Sequence, residues 1–441
     1  MVAHEVTAAD LRIGTDRTDI TPTAPVPLAG YASRAGLGPA SVVLAPLHVR
    51  SLALRAGGRP AVVLVSADLL WWADDVVAPL RAAFAERFGL PPTSLVLHAT
   101  HNHSGPQTSR LMTPSLGPPD DAYLDHLVER TLASIGRALD GEVPVSVETV
   151  RTPTEASVDR RWARTAGEVP RSPIDRDLTL VRFVDASGAT AALLAHFACH
   201  PVVHHGNAVT SDLAGTLADV LERETTPFAM YLQGCCGDVN PARYAADGTF
   251  ANGGQDDVEA IAAELAHLAA RALPRATSAG HAAVAVTRRS LPLPLQDRLP
   301  LPLVERMTAR GDVQGEWARI MAQDPDRYRR DPVLELVKLR LTPDLALLGM
   351  SGEPVSRFGL HAKEVSGGRC LPMGYTDGMT TYLVTARHLE EGGYEPCEAP
   401  VYFAIPAPLA PGAERAVLAE ISALAAEGTM AGSTVGNEKL T

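Results

Sequence analysis

The chain has 441 residues, 46% apolar and 20% charged, a composition that buries a large core and argues against disorder on any scale. Its formal charge of −12 and pI near 5.6 argue against nucleic acid and against an anionic membrane surface, both of which reward basic patches. No run approaches the ~18 apolar residues of a membrane span, so the expected partner is a small-molecule substrate.

The length exceeds what one hydrophobic core usually fills, which predicts one large α/β domain with subdomains, or two intimate ones, over residues 1–427. A loose tail rich in Gly and Thr is expected at 428–441. Residues 1–10 show neither the basic start nor the apolar stretch of an export peptide. The five cysteines (199, 235, 236, 370 and 397) are odd in number and lack zinc-ribbon spacing, so reduced thiols in a cytoplasmic protein are the simple expectation. Only Lys338, Lys363 and Lys439 among the 39 basic residues are lysines, which reads as genome composition. Nothing in the pattern demands a homodimer, and nothing excludes one.

In chain order, 51–55 and 61–66 read as strands and 75–88 as a helix. A short buried strand follows at 94–98, with His101 just beyond it, and 121–139 is an amphipathic helix stopped by Asp140-Gly141. Residues 178–183 and 191–197 form a strand pair around a turn at 185–188. A helix at 212–224, a strand at 228–232 and a strongly periodic helix at 256–272 complete the middle, and 345–350 is a later strand. This alternation predicts an α/β fold, a mixed β-sheet core covered by helices on both faces. At 291–303 prolines alternate with leucines at both ends, which excludes a helix or central strand and predicts a covering arm or linker at 290–304.

Several polar clusters sit just beyond strand ends, where open α/β sheets bind ligands. The first is His98, His101 and His103, followed by Ser104-Gly105-Pro106; His-x-His on extended backbone would project both imidazoles to one side. The second is His196, His200, His204 and His205, where Pro201 argues against a helical His pair. Taken together the two clusters point to zinc, whose commonest ligand is neutral imidazole. The third, 233–241, carries Cys235-Cys236, read as packing thiols rather than nucleophiles, and Asn240. The fourth is Ser351-Gly352-Glu353-Pro354, a ligand or a helix-capping carboxylate. The fifth is Tyr382 with Tyr394 twelve residues on.

The run Thr100-His101-Asn102-His103-Ser104-Gly105-Pro106 resembles the Thr-His-Thr-His-Ser-Gly-Pro signature of the neutral/alkaline ceramidase family, zinc amidases that cleave N-acyl-sphingosines. The resemblance begins near Gly14, with Asp19-Ile20-Thr21-Pro22, and covers most of the chain. It implies zinc held by His101, His200, Glu353 and Tyr382, with His103, Tyr394 and Arg160 beside the reacting group. Two departures stand out. The family's Gly-Asp-Val-Ser-Pro-Asn serine is replaced by Asn240, and the sequence ends before the family's C-terminal immunoglobulin-like domain.

An amide side chain cannot attack as an alkoxide, though it can hydrogen-bond an oxyanion. The expected reaction is therefore hydrolysis of an amide C–N bond in a small soluble substrate by zinc-activated water, with His103 as general acid/base. Tyr394 or Arg160 would polarise the carbonyl, and Asn240 would orient substrate or water. The alternative is a zinc-dependent lyase, isomerase or condensing enzyme using the same residues. A structural zinc is disfavoured, because such sites usually draw on cysteine.

Overall fold

Val62–Ala67 has no alternation of apolar and polar residues, and the strand it forms is buried along its whole length. It belongs to the largest sheet in a computed structural model that describes residues 11–34, 36–164, 171–243 and 251–427. The tail expected at 428–441 lies outside those residues. Across the large sheet the order is Leu95–Ala99, Val62–Ala67, His48–Ala56, Leu11–Asp19, Val143–Pro153, Asp177–Asp185, Thr190–Phe197 and Ala229–Gln233. The outermost pair at each edge is parallel and the inner pairings are antiparallel, so the sheet is mixed.

The two edges meet. The backbone N–H of Gln233 donates to His98 Nε2 at 2.8 Å, and Ser66 Oγ donates to the Tyr231 carbonyl at 2.8 Å. This curl sets the carboxyl ends of Leu95–Ala99, Thr190–Phe197 and Ala229–Gln233 side by side, which is what later assembles the site.

Helices on both faces of one sheet were expected; the large sheet instead has helices on one face only. Asp74–Phe88 and Asp121–Asp140 cover one half of that face, and Asp212–Glu224 with Gln255–Ala272 cover the other. Its second face packs on a smaller sheet in the order Ala285–Pro292, Val333–Thr342, Leu345–Met350, Cys370–Met373. Leu54, Leu64, Val181 and Leu194 from one sheet interleave with Leu339, Leu347 and Leu371 from the other. Ser356–Val365 and Gly412–Ala426 cover the outside of the smaller sheet, giving four layers. Leu348 and Leu347 alternate between its two faces, as strand geometry requires.

The Pro-rich segment departs from expectation at both ends. Leu291 and Pro292 finish an edge strand, and Leu301–Met307 is a helix. Pro302 falls in its first turn, where the missing N–H has no intrahelical partner to lose and the fixed φ suits the helix. Between them, Gln296 N–H bonds the Pro408 carbonyl at 2.9 Å.

His98 is a structural histidine at the seam. It is fully buried, Nε2 accepts from Gln233, and Nδ1 bonds Thr376 Oγ1 at 2.9 Å. Burial drives its pKa down to about 3, with His196 adding to the effect. Because the unfolded chain takes up this proton near pH 6.5 and the folded chain does not, the stability His98 contributes is complete above 6.5. It is lost as pH falls from there toward about 3. The cost of His98→Gln in urea unfolding is therefore expected to shrink below pH 6.5, by about 1.4 kcal/mol per pH unit. A cost equal at pH 7.5 and pH 5.5 would contradict this.

Candidate metal centre

His101 follows the edge strand Leu95–Ala99 and sits at φ 65°, in the left-handed region that a non-glycine residue occupies at a cost of about 1 kcal/mol or more. Asn102 fixes that bend: its side-chain N–H donates to the Thr210 carbonyl at 2.9 Å, and its Oδ1 accepts from Ser104 N–H at 3.0 Å. The His-x-His pair is thus a turn rather than extended backbone, and the pleat argument for it does not hold. The two rings still converge, with Nε2 of His103 lying 3.0 Å from Nε2 of His101.

His200 follows Thr190–Phe197 in the loop that Pro201 keeps from becoming helix. Asp212 holds this loop by accepting from His204 N–H at 2.9 Å and Val203 N–H at 3.3 Å. Nε2 of His200 is 3.1 Å from that of His101, and both face Glu353 Oε1, at 2.9 and 3.3 Å respectively. Glu353 and Tyr382 are set side by side by a parallel ladder between Glu353–Pro354 and Tyr382–Leu383.

The tautomers follow from what the far side of each ring touches. His101 Nδ1 lies 3.0 Å from the Leu70 carbonyl, and His200 Nδ1 lies 2.7 Å from the Cys236 carbonyl. A carbonyl can only accept, so each Nδ1 carries the proton and each Nε2 presents a lone pair. Two such lone pairs then face a buried carboxylate oxygen that has no hydrogen-bond partner. Acceptors crowded in this way repel one another unless a cation lies among them, and carbonyl-anchored imidazoles with a carboxylate are an arrangement that suits a divalent metal ion. His101, His103 and His200 bring their ligand atoms within 4.8 Å of one another, a spacing that could hold a metal ion. Burial, aided by Arg160, lowers His200 to about 4, so it is neutral at physiological pH.

His103 differs from the other two. Its Nδ1 has no hydrogen-bond partner, so no carbonyl fixes its tautomer. Gly30, at φ 97°, makes room for it, since a Cβ there would come within 2.6 Å of that Nδ1. The Tyr31 ring is 5.0 Å away.

Arg160 enters from a two-stranded ladder in which Ser157–Asp159 pairs with Val239–Pro241, setting Asn240 opposite Val158. Its Nη2 donates to the Tyr382 hydroxyl at 3.1 Å and reaches Glu395 Oε1 at 2.7 Å, while Nη1 lies 3.4 Å from His200 Nε2. Burial would strip the Arg160 charge, but Tyr382, Glu395 and Glu353 together hold it. Burial likewise opposes ionisation of Glu395, and Arg160 outweighs it, holding that carboxyl at about 2. The rings of Tyr382 and Tyr394 meet edge to face at 5.9 Å. His103, His200, Arg160, Asn240, Tyr382 and Tyr394 all line one cavity of about 310 Å³.

The remaining histidines and the cysteines sort themselves by contact. His196 bonds the Pro372 carbonyl inside the core, and His205 packs on Tyr31 at the cavity wall. Cys235 and Cys236 are buried, and burial pushes both thiols well above their ordinary pKa, which leaves them protonated packing groups. Sequence reasoning missed three contributors. Tyr375 stacks beneath His101 at 3.9 Å and 15°, Glu395 pairs with Arg160, and Arg34 braces the His103 loop through the His103 carbonyl. Of these only Glu395 had a signal, its position beside Tyr394.

A two-sheet α/β fold with an imidazole–carboxylate cluster at converging strand ends is the class this chain defines. Its fold is that of neutral ceramidase. The crystal structure of neutral ceramidase from Pseudomonas aeruginosa matches with a TM-score of 0.76 and 18% identity, over 95% of this chain and 74% of that one. A ceramidase complexed with C2 matches with a TM-score of 0.75 and 18% identity, over 95% and 75%. No family model and no curated protein matches the sequence.

Proposed function

We propose that the chain is a zinc-dependent amidohydrolase of the neutral ceramidase family, acting on the amide C–N bond of a small soluble substrate. The observation that carries this is the convergence of the His101 and His200 Nε2 lone pairs on the unpartnered Glu353 oxygen. These three residues with Tyr382 would hold the metal. When bound, zinc would act as a Lewis acid and lower the pKa of a water toward ~7.

The chain's own residues supply the rest. The Arg160 guanidinium, kept charged by Glu395, and the Tyr394 hydroxyl face the cavity where a scissile carbonyl would develop charge. Asn240, whose Oδ1 is buried without a partner, would orient substrate or water where the family uses a serine. His103, with its tautomer unfixed, would pass a proton to the leaving amine. Among the described residues no helix is long and apolar enough to cross a membrane.

The test is a panel of N-acyl amines, amides and esters offered to zinc-loaded and chelator-treated protein. Amide cleavage that disappears with the metal and returns with zinc is the expected result. Turnover untouched by chelation, or confined to non-amides, would count against the reading.

A further inference from the structure

Guanidinium charge around the cavity is unevenly neutralised. Arg160 and Arg161 occupy both oxygens of Glu395, at 2.7 and 2.6 Å, and Arg161 also reaches Glu391 at 3.2 Å. Arg164 closes the same short helix, Arg160–Arg164, and is exposed while lining the cavity with His103, His200 and Asn240. It forms no ion pair among the described residues. It lies within electrostatic reach of Tyr31, Tyr394 and Glu395, but the Glu395 carboxylate is already shared between its two neighbours. Arg34, outside the lining, donates to neutral acceptors, the carbonyls of Ala29, His103 and Gly206 and the Ser104 hydroxyl, with Asp212 its nearby counter-charge.

The lining also limits what else can enter. Among the described residues Ala32 and Val202 are its only aliphatic side chains, beside four tyrosine rings, and the rest is glycine, hydroxyl, amide, imidazole and guanidinium. Its size, about 310 Å³, suits a small ligand. Against a net charge of −12, a cavity-lining cation with no ion pair among the described residues is a local exception to the protein's own field.

We infer that Arg164 is a specificity-determining residue that pairs with a carboxylate on the substrate, making the preferred substrate a small amide with a free carboxylate, such as an N-acylated amino acid. A guanidinium suits this task because its fork matches a carboxylate with two parallel charge-assisted hydrogen bonds. The inference rests on the proposed amidohydrolase reading for the word substrate, but anion binding is testable apart from turnover.

The full-length, zinc-loaded protein is titrated calorimetrically with N-benzoylglycine and with N-benzoylglycinamide, which differ in carboxylate against carboxamide. Release of amine from each is followed separately. The carboxylate is expected to bind about tenfold tighter or more. Arg164→Gln should erase the difference by weakening the anion selectively, with the kinetic loss in KM more than kcat; Arg164→Lys should restore part of it. Equal binding of the two probes by the native protein, or no binding of either, overturns the substrate class. A preference that survives Arg164→Gln overturns the assignment to Arg164. Anion preference with no amide turned over sinks the amidohydrolase reading and leaves Arg164 as an anion site; turnover of neutral amides without preference does the reverse.

Discussion

Replacing His101 with alanine is expected to strip the protein of zinc and to lower amide turnover by about 10³-fold or more, the scale of losing a Lewis acid and its activated water. The imidazole stands between His103, His200 and Glu353, and its Nδ1 is tied to the Leu70 carbonyl. Zinc per chain, measured by elemental mass spectrometry, should fall from one toward zero while the chain stays folded, because the cavity left behind adjoins the site. Asn240→Ser, run beside it, should retain full zinc, since Asn240 lies in the cavity wall on the Val239–Pro241 strand. Full zinc occupancy in His101→Ala would sink the ligand assignment.

The second large effect is expected at Arg160. Arg160→Leu leaves Glu395, 3% exposed, with Arg161 as its remaining partner. Breaking a buried pair from one side costs about 3–5 kcal/mol, of which the surviving Arg161 contact should recover part. Activity should fall about 10²- to 10³-fold through the lost contact with the developing carbonyl charge. Arg160→Lys separates the two effects. It restores a positive charge, but one ammonium cannot replace the separate Nε and Nη2 contacts to Glu395 and Tyr382. Stability should return further than kcat. A lysine variant with native kcat would show that Arg160 acts only as a structural counter-charge.

The legible parts of the fold were those set by local pattern. The helix Asp212–Glu224 and the strand Leu345–Met350 fall where periodicity and an unbroken apolar run put them. The smaller sheet was hidden because its edge strand, Ala285–Pro292, carries Arg288-Arg289 and a proline and is nowhere fully buried. Closure of the large sheet was equally invisible, since it depends on Gln233 meeting His98 and Ser66 meeting Tyr231 across more than a hundred residues.

At the site, residue types were readable and partners were not. His101, His200 and Glu353 announce themselves by chemistry at strand ends. Which ring nitrogen faces the Glu353 carboxylate depends on carbonyls at Leu70 and Cys236 that no side-chain motif encodes. Nor does sequence spacing join Arg160 to Glu395, 235 residues away. The resemblance to neutral ceramidases, whose most specific match is Thr100–Pro106, agrees with the fold; Asn240 is where the chain departs from the family pattern.

Hydrolysis at that altered site is tested most directly by running the reaction of a cleavable amide in water enriched in heavy oxygen and weighing the acid product by mass spectrometry. The product is expected to carry one solvent oxygen per turnover in its new carboxylate, and to do so in the zinc-loaded protein alone. C–N cleavage or rearrangement without solvent oxygen in the product would contradict the amidohydrolase reading and favour a lyase or isomerase on the same metal.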